Sequence, residues 1–139
     1  MQIRRADFAR DELAIRAVRF AVFVDEQRVP AEIEMDDRDA RCIHLLAYDN
    51  GEPVGTARID LGHDGKIGRL AVLAAARRRG VGSALMEELH SIARTHDLER
   101  VWCHAQVAAA PFYAQLDYRV SGPPFYEAGI EHVRMEREL

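Results

Sequence analysis

The sequence predicts one domain of the mixed α/β class, with a largely antiparallel sheet and helices packed on its faces. Two patterns indicate this. The first half carries short apolar segments joined by tight turns, and the second half alternates strand-like and helix-like segments. The chain of 139 residues, 48% hydrophobic and 30% charged, has the length and composition of a globular domain. We therefore expect one function, carried by one domain over residues 1–139.

The N-terminal part predicts a strand, a helix and a long loop. Met1–Arg5 has the pattern of a short strand, and Asp11–Phe23 carries apolar residues at close to helical spacing. Residues 24–41 ("VDEQRVPAEIEMDDRDAR") are acidic, contain Pro30 and lack a sustained period. This predicts a loop with at most one helical turn. Long ordered loops in compact domains usually serve function.

The middle of the chain predicts three strands in an antiparallel meander. Their limits are Ile43–Tyr48, Val54–Leu61 and Lys66–Val72. Asn50–Gly51 suits a type I′ turn between the first two strands, because both residues tolerate positive φ. Gly62–Gly65 suits a second tight turn before the third strand.

The second half of the chain contains the clearest helix. It begins near Gly80, and its apolar stripe is Val81, Leu85, Leu89 and Ile92. The other predicted elements are a strand at Arg100–His104, a helix at Ala108–Leu116, and strands at Tyr118–Val120 and Ile130–Glu138 around the loop "SGPPFYEAG". Strands interleaved with helices after a meander predict a mixed sheet.

Composition and charge argue against several classes of protein. Cys42 and Cys103 have no paired spacing and no His or Cys cluster near them, so we expect neither a disulfide nor a metal site. The net charge of −4 argues against nucleic-acid binding. No apolar run approaches the ~20 residues of a bilayer span, and the N-terminus has no signal-peptide pattern. We expect a cytoplasmic protein without a membrane partner.

The segment "AARRRGVGSALM" has the pattern of a phosphate cradle at a helix N-terminus. Gly80 and Gly82 allow close approach to backbone N–H groups, and Ser83 adds a hydroxyl. Arg77 and Arg78 can add charge-assisted hydrogen bonds. The alternative is an ordinary helix start with solvated arginines. Neither the Walker pattern nor the dinucleotide fingerprint fits this glycine spacing.

The spacing Arg77-x-x-Gly80-x-Gly82, between the strand "IGRLAV" and an amphipathic helix, resembles the signature Arg/Gln-x-x-Gly-x-Gly/Ala of the GCN5-related N-acetyltransferase (GNAT) superfamily. The segment "AAAPFYAQLDYRVSG" resembles that superfamily's pattern "xxAxxFYxxLGF". The stretch "FAVFVDEQRVPAEIEMDDRDA" resembles its ElaA-like subgroup. Two residues depart from the pattern, because Gln106 stands where many members have Asn and Asp117 where the motif has Gly.

The resemblance implies a GNAT-type domain with a splayed central strand pair and acetyl-CoA as co-substrate. It implies that the glycine loop holds the pyrophosphate and that the main chain of Leu70 and Val72 pairs with the pantetheine arm. The residues expected to bind the cofactor are Leu70, Ala71, Val72, Arg77, Arg78, Arg79, Gly80, Val81, Gly82, Ser83, Gln106, Ala109, Phe112 and Tyr113.

Acetyl transfer to an amine needs a proton acceptor for the amine, a donor to the oxyanion and a proton for the leaving thiolate. The resemblance implies the Val72 amide as the oxyanion donor and Tyr113 as the acid. We favour Glu34, in the acidic loop, as the base. The alternative bases are Glu32, Asp36, His44 and His104. Cys103 as an acetyl-carrying nucleophile is disfavoured because its strand position suggests a core-facing side chain.

The function that we predict is acetyl-CoA-dependent N-acetylation of a small-molecule or peptide amine, by direct transfer in a ternary complex. The alternative is a non-catalytic sensor of acyl-CoA on the same fold, since the pyrophosphate loop would serve both. The acidic segment Asp25–Asp39 suggests a cationic amine as acceptor. A homodimer is plausible, because exposed sheet edges often pair.

Overall fold

A computed structural model describes residues 1–139. The elements in chain order are β1 (Gln2–Ala6), α1 (Phe8–Arg19), a π-helical segment (Phe20–Glu26), α2 (Ala31–Glu34), β2 (Ile43–Asp49), β3 (Glu52–Asp60), β4 (Lys66–Val72), α3 (Val81–Thr95), β5 (Arg100–Gln106), α4 (Ala110–Gln115), β6 (Arg119–Val120), β7 (Phe125–Glu127) and β8 (Ile130–Glu138). A lipid bilayer could not be crossed by any of the helices, which are too short or too polar.

All eight strands form one sheet in the order β1-β2-β3-β4-β5-β8-β6, and β7 pairs with β8 beside β6. Every neighbouring pair is antiparallel except β4 and β5, which run parallel. The predicted mixed, largely antiparallel sheet is therefore confirmed. The meander β2-β3-β4 forms as predicted, with Asn50 and Gly51 of its first turn at φ 51° and 80°.

The central strands β4 and β5 separate soon after they meet. Lys66 pairs with Trp102 and Ile67 with Cys103, and no later residues of the two strands pair with each other. Both strands nevertheless continue, β4 to Val72 and β5 to Gln106. The splay implied by the family resemblance is thus confirmed, and it opens a cleft between the carboxyl ends of two parallel strands.

A β-bulge in β4 accompanies this separation. Thr56 pairs with Ala71 and Arg58 with Gly68, so Ala57 alone faces two residues of β4. The first of these, Arg69, has φ 51°, a left-handed conformation that is costly for a side chain with a Cβ. Because bulges bend the strand that carries them, β4 turns away from β5 after this point.

Helices cover both faces of the sheet, as predicted. On one face Leu85, Met86 and Leu89 of α3 are fully buried against the main core. On the other face Val18 of α1 packs in a smaller cluster with Val22 and Ala71. This burial explains why the apolar spacing of α3 was a reliable signal, since that stripe meets the sheet along its whole length.

The first helix begins and ends differently from the prediction. It begins at Phe8 because Asp7 caps it, accepting a 3.0 Å hydrogen bond from the Arg10 amide. After Arg19 it continues as seven π-helical residues to Glu26, beyond the predicted end at Phe23. π-Helical insertions are frequent at functional sites, and this one leads directly into the acidic loop.

The segment "SGPPFYEAG", predicted as a loop, contains strand β7, so that prediction was wrong. β7 and β8 form a hairpin in which Glu127 pairs with Ile130. The two turn residues Ala128 and Gly129 both have positive φ, 53° and 77°. Alanine rarely adopts this conformation, which is why its sequence did not signal a type I′ turn.

Candidate active site

A cavity of about 440 Å³ lies in the cleft where β4 and β5 diverge. Leu70 lines it from β4, Gln106 from β5 and Tyr113 from α4. Phe23 of the π-helical segment and Gln27 close the side that faces the acidic loop. Gln106 donates a 2.8 Å hydrogen bond to Gln27, so the end of β5 is tied to the segment that follows the π-helix.

A row of free backbone N–H groups lies at the C-terminal end of β4. The amides of residues 78–83 have no hydrogen-bond acceptor in the protein, and the first helical bond of α3 runs from Ala84 to the Gly80 carbonyl. Consecutive free amides at a helix N-terminus attract anions, since the helix dipole adds to their partial charges. The glycine loop therefore has the donors that a phosphate group needs.

The two glycines of this loop are needed for different structural reasons. Gly80 has φ 80°, a conformation that other residues rarely adopt. Gly82 has an ordinary φ, but a Cβ there would lie 3.4 Å from the Phe112 ring and 3.9 Å from Val72 Cγ2. The start of α3 thus lies directly across from α4 and the end of β4, at the mouth of the cleft.

The three arginines of the loop are not equivalent. The Arg77 side chain donates to the Val72 carbonyl at 2.9 Å and to Glu26 at 2.7 Å, so it ties the loop to β4 and to the π-helix. Arg79 pairs with Asp49 at 2.8 Å. Arg78, at φ 63°, has an exposed side chain without a hydrogen bond or ion pair. Of the three, Arg78 alone has a guanidinium that is free to meet an anion.

The main chain of β4 points in alternate directions along the strand. The Leu73 amide donates to Val54 of β3 at 2.9 Å, so the main-chain groups of Val72 and Leu70 face away from β3, toward the cleft. Leu70 lines the cavity, whereas Val72 does not. Ala71 faces β3 instead, and its side chain is buried against α1. The predicted cofactor contacts of these residues stay predictions.

Tyr113 lies in the wall of the cavity, where α4 meets the core. Its ring packs edge-on against Phe112 at 5.1 Å and Tyr118 at 5.6 Å, and only 9% of the residue is exposed. The hydroxyl makes no hydrogen bond within the protein, and since no buried side-chain polar atom lacks a partner, it is accessible from the cavity. Burial raises the pKa of Tyr113, so the hydroxyl keeps its proton at neutral pH.

The acidic loop is held by a buried arginine–carboxylate cluster, which consists of Arg19, Arg58, Arg69, Glu34, Asp36 and Asp39. Arg19 lies 2.9 Å from Glu34 and 2.7 Å from Asp39. Arg69, the bulge residue, lies 3.0 Å from Glu34. Since each carboxylate meets two guanidinium groups, the acidic loop presents little unbalanced negative charge to the cavity.

The predicted base Glu34 is one member of this cluster. It lines the cavity, but it is only 3% exposed and its Oε2 contacts both Arg19 and Arg69. Burial outweighs these arginines and raises the pKa of Glu34. For Asp36 the opposite holds, because Arg58 and Arg69 outweigh burial and lower its pKa to about 2. Asp36 is thus a poor proton acceptor at neutral pH.

Three other candidates lie away from the cavity. Glu32 is exposed on α2. His44 is buried, stacks on Phe8 at 4.8 Å and shares a 2.8 Å hydrogen bond with the Asp39 carbonyl, so it supports the loop. Cys103 is 1% exposed, and burial raises the pKa of its thiol to about 12. These positions argue against a chemical role for any of the three.

A second polar group in the cavity comes from the β7–β8 hairpin. His104 of β5 has its Nδ1 3.3 Å from Glu127 Oε1, and His132 has its Nε2 3.8 Å from the other Glu127 oxygen. All three residues line the cavity. The sequence singled out His104 but not its partner, because β7 was expected to be a loop. A prediction of a strand at "FYE", before the turn at "AG", would have identified Glu127 as a candidate residue.

Comparisons with known proteins agree with this geometry. The family model described as "Acetyltransferase (GNAT) domain" matches residues 6–139. A Bacillus subtilis protein described as the uncharacterized N-acetyltransferase YjcF is 39% identical over 123 residues, 87% of this chain and 88% of that protein.

Two solved structures have the same fold over nearly the full length. Escherichia coli ElaA is 28% identical with a TM-score of 0.89, over 99% of this chain and 100% of that one. An acyl-CoA N-acyltransferase from Pseudomonas aeruginosa is 27% identical with a TM-score of 0.87, over 98% of both chains. The chain therefore belongs to the GNAT family of acetyltransferases.

Proposed function

We propose that the protein transfers the acetyl group of acetyl-CoA to a primary amine, by direct attack in a ternary complex. The observation that carries this proposal is the single cavity in the splay, which reaches from Gln106 and Leu70 near the free amide row to the polar group around His104. A thioester threaded from the amide row into this cavity would meet an amine entering from the opposite side.

The free amides of residues 78–83 would bind the pyrophosphate, with the Arg78 guanidinium adding charge. Arg77 would act indirectly, because its contacts with Val72 and Glu26 hold the loop in shape. The pantetheine arm would then run along the unpaired edge of β4, as an added strand does, past Phe112 and Ala109.

The oxyanion would be stabilised by a main-chain N–H of β4. We predicted Val72 for this role, but Leu70 fits better. Its N–H also faces the cleft, it follows the bulge, and it lines the cavity, which Val72 does not. A preorganised N–H donor of this kind can lower the barrier by roughly 3 kcal/mol.

In the proposed step the amine nitrogen forms a bond to the thioester carbon, and the carbon–sulfur bond then breaks. The thiolate takes its proton from Tyr113, whose hydroxyl faces the cavity without a hydrogen bond to the protein, and Tyr113 regains a proton from water when the products leave. No acetyl-cysteine is formed, since Cys103 is buried in the core and its thiol stays protonated.

The amine proton has two candidate acceptors in the cavity. Glu34 is favoured by its raised pKa, and His104 by its position outside the arginine–carboxylate cluster. We favour His104, because Glu127 can bind one ring nitrogen and leave the other to take the proton. Glu34 would give up two guanidinium contacts on protonation, whereas His104 would gain attraction to Glu127.

Free-thiol release from acetyl-CoA with a panel of primary amines tests the proposal. We expect thiol release that depends on the amine. Double-reciprocal plots of the initial velocity should intersect rather than run parallel, as a ternary complex requires. Tight CoA binding with no thiol release on any amine would instead favour the acyl-CoA-binding sensor. A ping-pong pattern would contradict direct transfer.

Two variants separate the candidate bases. His104→Ala should lower kcat/KM by roughly 10²-fold, keep the KM for acetyl-CoA and regain rate when imidazole is added. Glu34→Gln should mainly lower stability, by about 3 kcal/mol, because it breaks a buried ion pair. Rate measurements and chemical denaturation give both readouts. A stable Glu34→Gln protein without activity, beside an active His104→Ala protein, would assign the base to Glu34.

A further inference from the structure

Two of the charges that line the cavity, Lys66 and Glu127, lie outside its arginine–carboxylate pairs. Of its carboxylates, Glu34 and Asp36 belong to the arginine–carboxylate cluster, and Asp60 pairs with Arg38 at 2.8 Å. Glu127 lies beside His104. Lys66 also lines the cavity, yet its ammonium group has no hydrogen bond and no carboxylate at ion-pairing distance. It is the only lysine in the sequence.

This pairing changes the expectation for the acceptor. The acidic segment suggested a cationic amine, but Glu34, Asp36 and Asp39 are each neutralised by arginines within the cluster. The net charge that these carboxylates and their arginines present to a ligand is therefore close to zero. At the far end of the cavity, Lys66 is the cation without a salt bridge, because Glu127 acts on it only from beyond ion-pairing distance.

Lys66 stands at the closed end of the splay. It pairs with Trp102 one residue before the last β4–β5 contact, and its Nζ lies 5.3 Å from the centre of the Trp102 ring. Leu70, the proposed oxyanion donor, is four residues further along the strand. At ~3.3 Å per residue these two Cα atoms are about 13 Å apart, and the lysine side chain can span part of this distance.

The order of Lys66, His104 and Leu70 along the cleft fits a ligand with two different functional groups at its ends. His104 follows the last paired residue of β5 by one position, so it lies between the Lys66 end and the Leu70 end. An amine held near His104 would have the rest of its skeleton directed toward Lys66. Burial lowers the pKa of Lys66, and a bound anion would relieve that penalty.

We propose that the amine acceptor also carries a carboxylate, separated from its amine by several bonds, and that Lys66 binds this carboxylate. The inference rests on the proposed transfer to an amine. A carboxylate is favoured over a phosphate ester because phosphate carries close to two negative charges at neutral pH and the cavity offers one unpaired cation. The Trp102 ring would fix the lysine stem beside the ligand.

Matched amines that differ only in charge test this assignment. We expect kcat/KM for 4-aminobutyrate and 6-aminohexanoate to exceed that for the corresponding amides by about tenfold or more. In Lys66→Gln the ratio should fall to near one, and in Lys66→Glu it should reverse. The control is Arg134→Gln, which removes the other cation over the Trp102 ring, at 4.3 Å, and should keep the preference.

Equal rates for acids and amides in the wild type, or a preference that survives in Lys66→Gln, would overturn the inference. If other amines react but neither amino acid does, the carboxylate acceptor is overturned and the transfer to an amine stands. If no amine reacts at all, the proposed function fails, and a binding measurement then decides the inference separately.

That measurement uses the single lysine. Reductive ¹³C-methylation labels Lys66 and the N-terminal amine alone and keeps both charges. Adding N-acetyl-4-aminobutyrate with CoA should raise the pH at which the Lys66 methyl signal titrates and leave the N-terminal signal unchanged. The matching amide should change neither. An unshifted Lys66 signal at saturating acid would overturn the inference.

Discussion

Replacement of Gly82 by glutamate is expected to abolish CoA binding while the protein stays folded. The Cβ of the new side chain would lie 3.4 Å from the Phe112 ring, and its carboxylate would extend from there at the mouth of the cleft, beside the free amides of residues 78–83. It would repel the pyrophosphate and compete for the same donors. We expect a loss of at least about 100-fold in affinity, measured by calorimetry.

The fold should tolerate this change for local reasons. Gly82 lies in the first turn of α3 and has no positive φ, and an acidic residue in a first turn is favoured by the helix dipole. Glycine is also a poorer helix former than glutamate. The melting temperature of Gly82→Glu should therefore equal or exceed that of the wild type.

Two control variants separate bulk from charge at this position. Gly82→Ala adds a Cβ at ordinary contact distance from Phe112 and should weaken binding only slightly. Gly82→Gln has the size of glutamate without its charge and should fall between the two. If Gly82→Glu binds CoA as the wild type does, the amide row is not the pyrophosphate site.

Tyr113→Phe should retain CoA affinity and lose turnover by roughly 10²- to 10⁴-fold in kcat. The ring contacts with Phe112 and Tyr118 would persist, so the cavity wall should keep its shape. Only the hydroxyl is removed, and it bonds to no other group in the protein. Steady-state kinetics and CoA titration provide the two readouts.

Tyr118 supplies the matched control for this variant. Tyr118 is also a buried residue, but its hydroxyl shares a 2.6 Å hydrogen bond with His90 Nε2. Tyr118→Phe should therefore lower stability by about 1–3 kcal/mol, because it leaves a buried partner unsatisfied. Turnover should change little. Unchanged kcat in Tyr113→Phe would remove Tyr113 from the mechanism.

The sequence was most informative where short-range chemistry decides the structure. The Asn50–Gly51 turn fixes the β2–β3 hairpin through its two positive φ values, and the stripe of α3 identifies its buried face. The glycine spacing predicted the loop at the start of α3, because Gly80 needs a left-handed φ and Gly82 needs close approach. These signals lie within a few residues of the feature that they predict.

The chemistry of the cavity could not be predicted in the same way. Glu34 looked like an accessible carboxylate in an acidic loop, but Arg19 and Arg69 approach it from 15 and 35 positions away. Glu127 was missed because Ala128, in the hairpin turn, adopts a conformation that alanine rarely shows. Such outcomes depend on pairings between distant strands, which local patterns do not encode.

The sequence by itself thus determined the fold class, the strand meander, the amide loop and the position of Tyr113, because each depends on local backbone preference or on the period of apolar residues. Only the tertiary structure decided which charges remain free. The bulge at Arg69 opens the cleft and sends the arginine into the cluster, while Lys66 is left without an ion partner. Charge in a cavity is a sum over residues that folding brings together, and no single segment of sequence contains that sum.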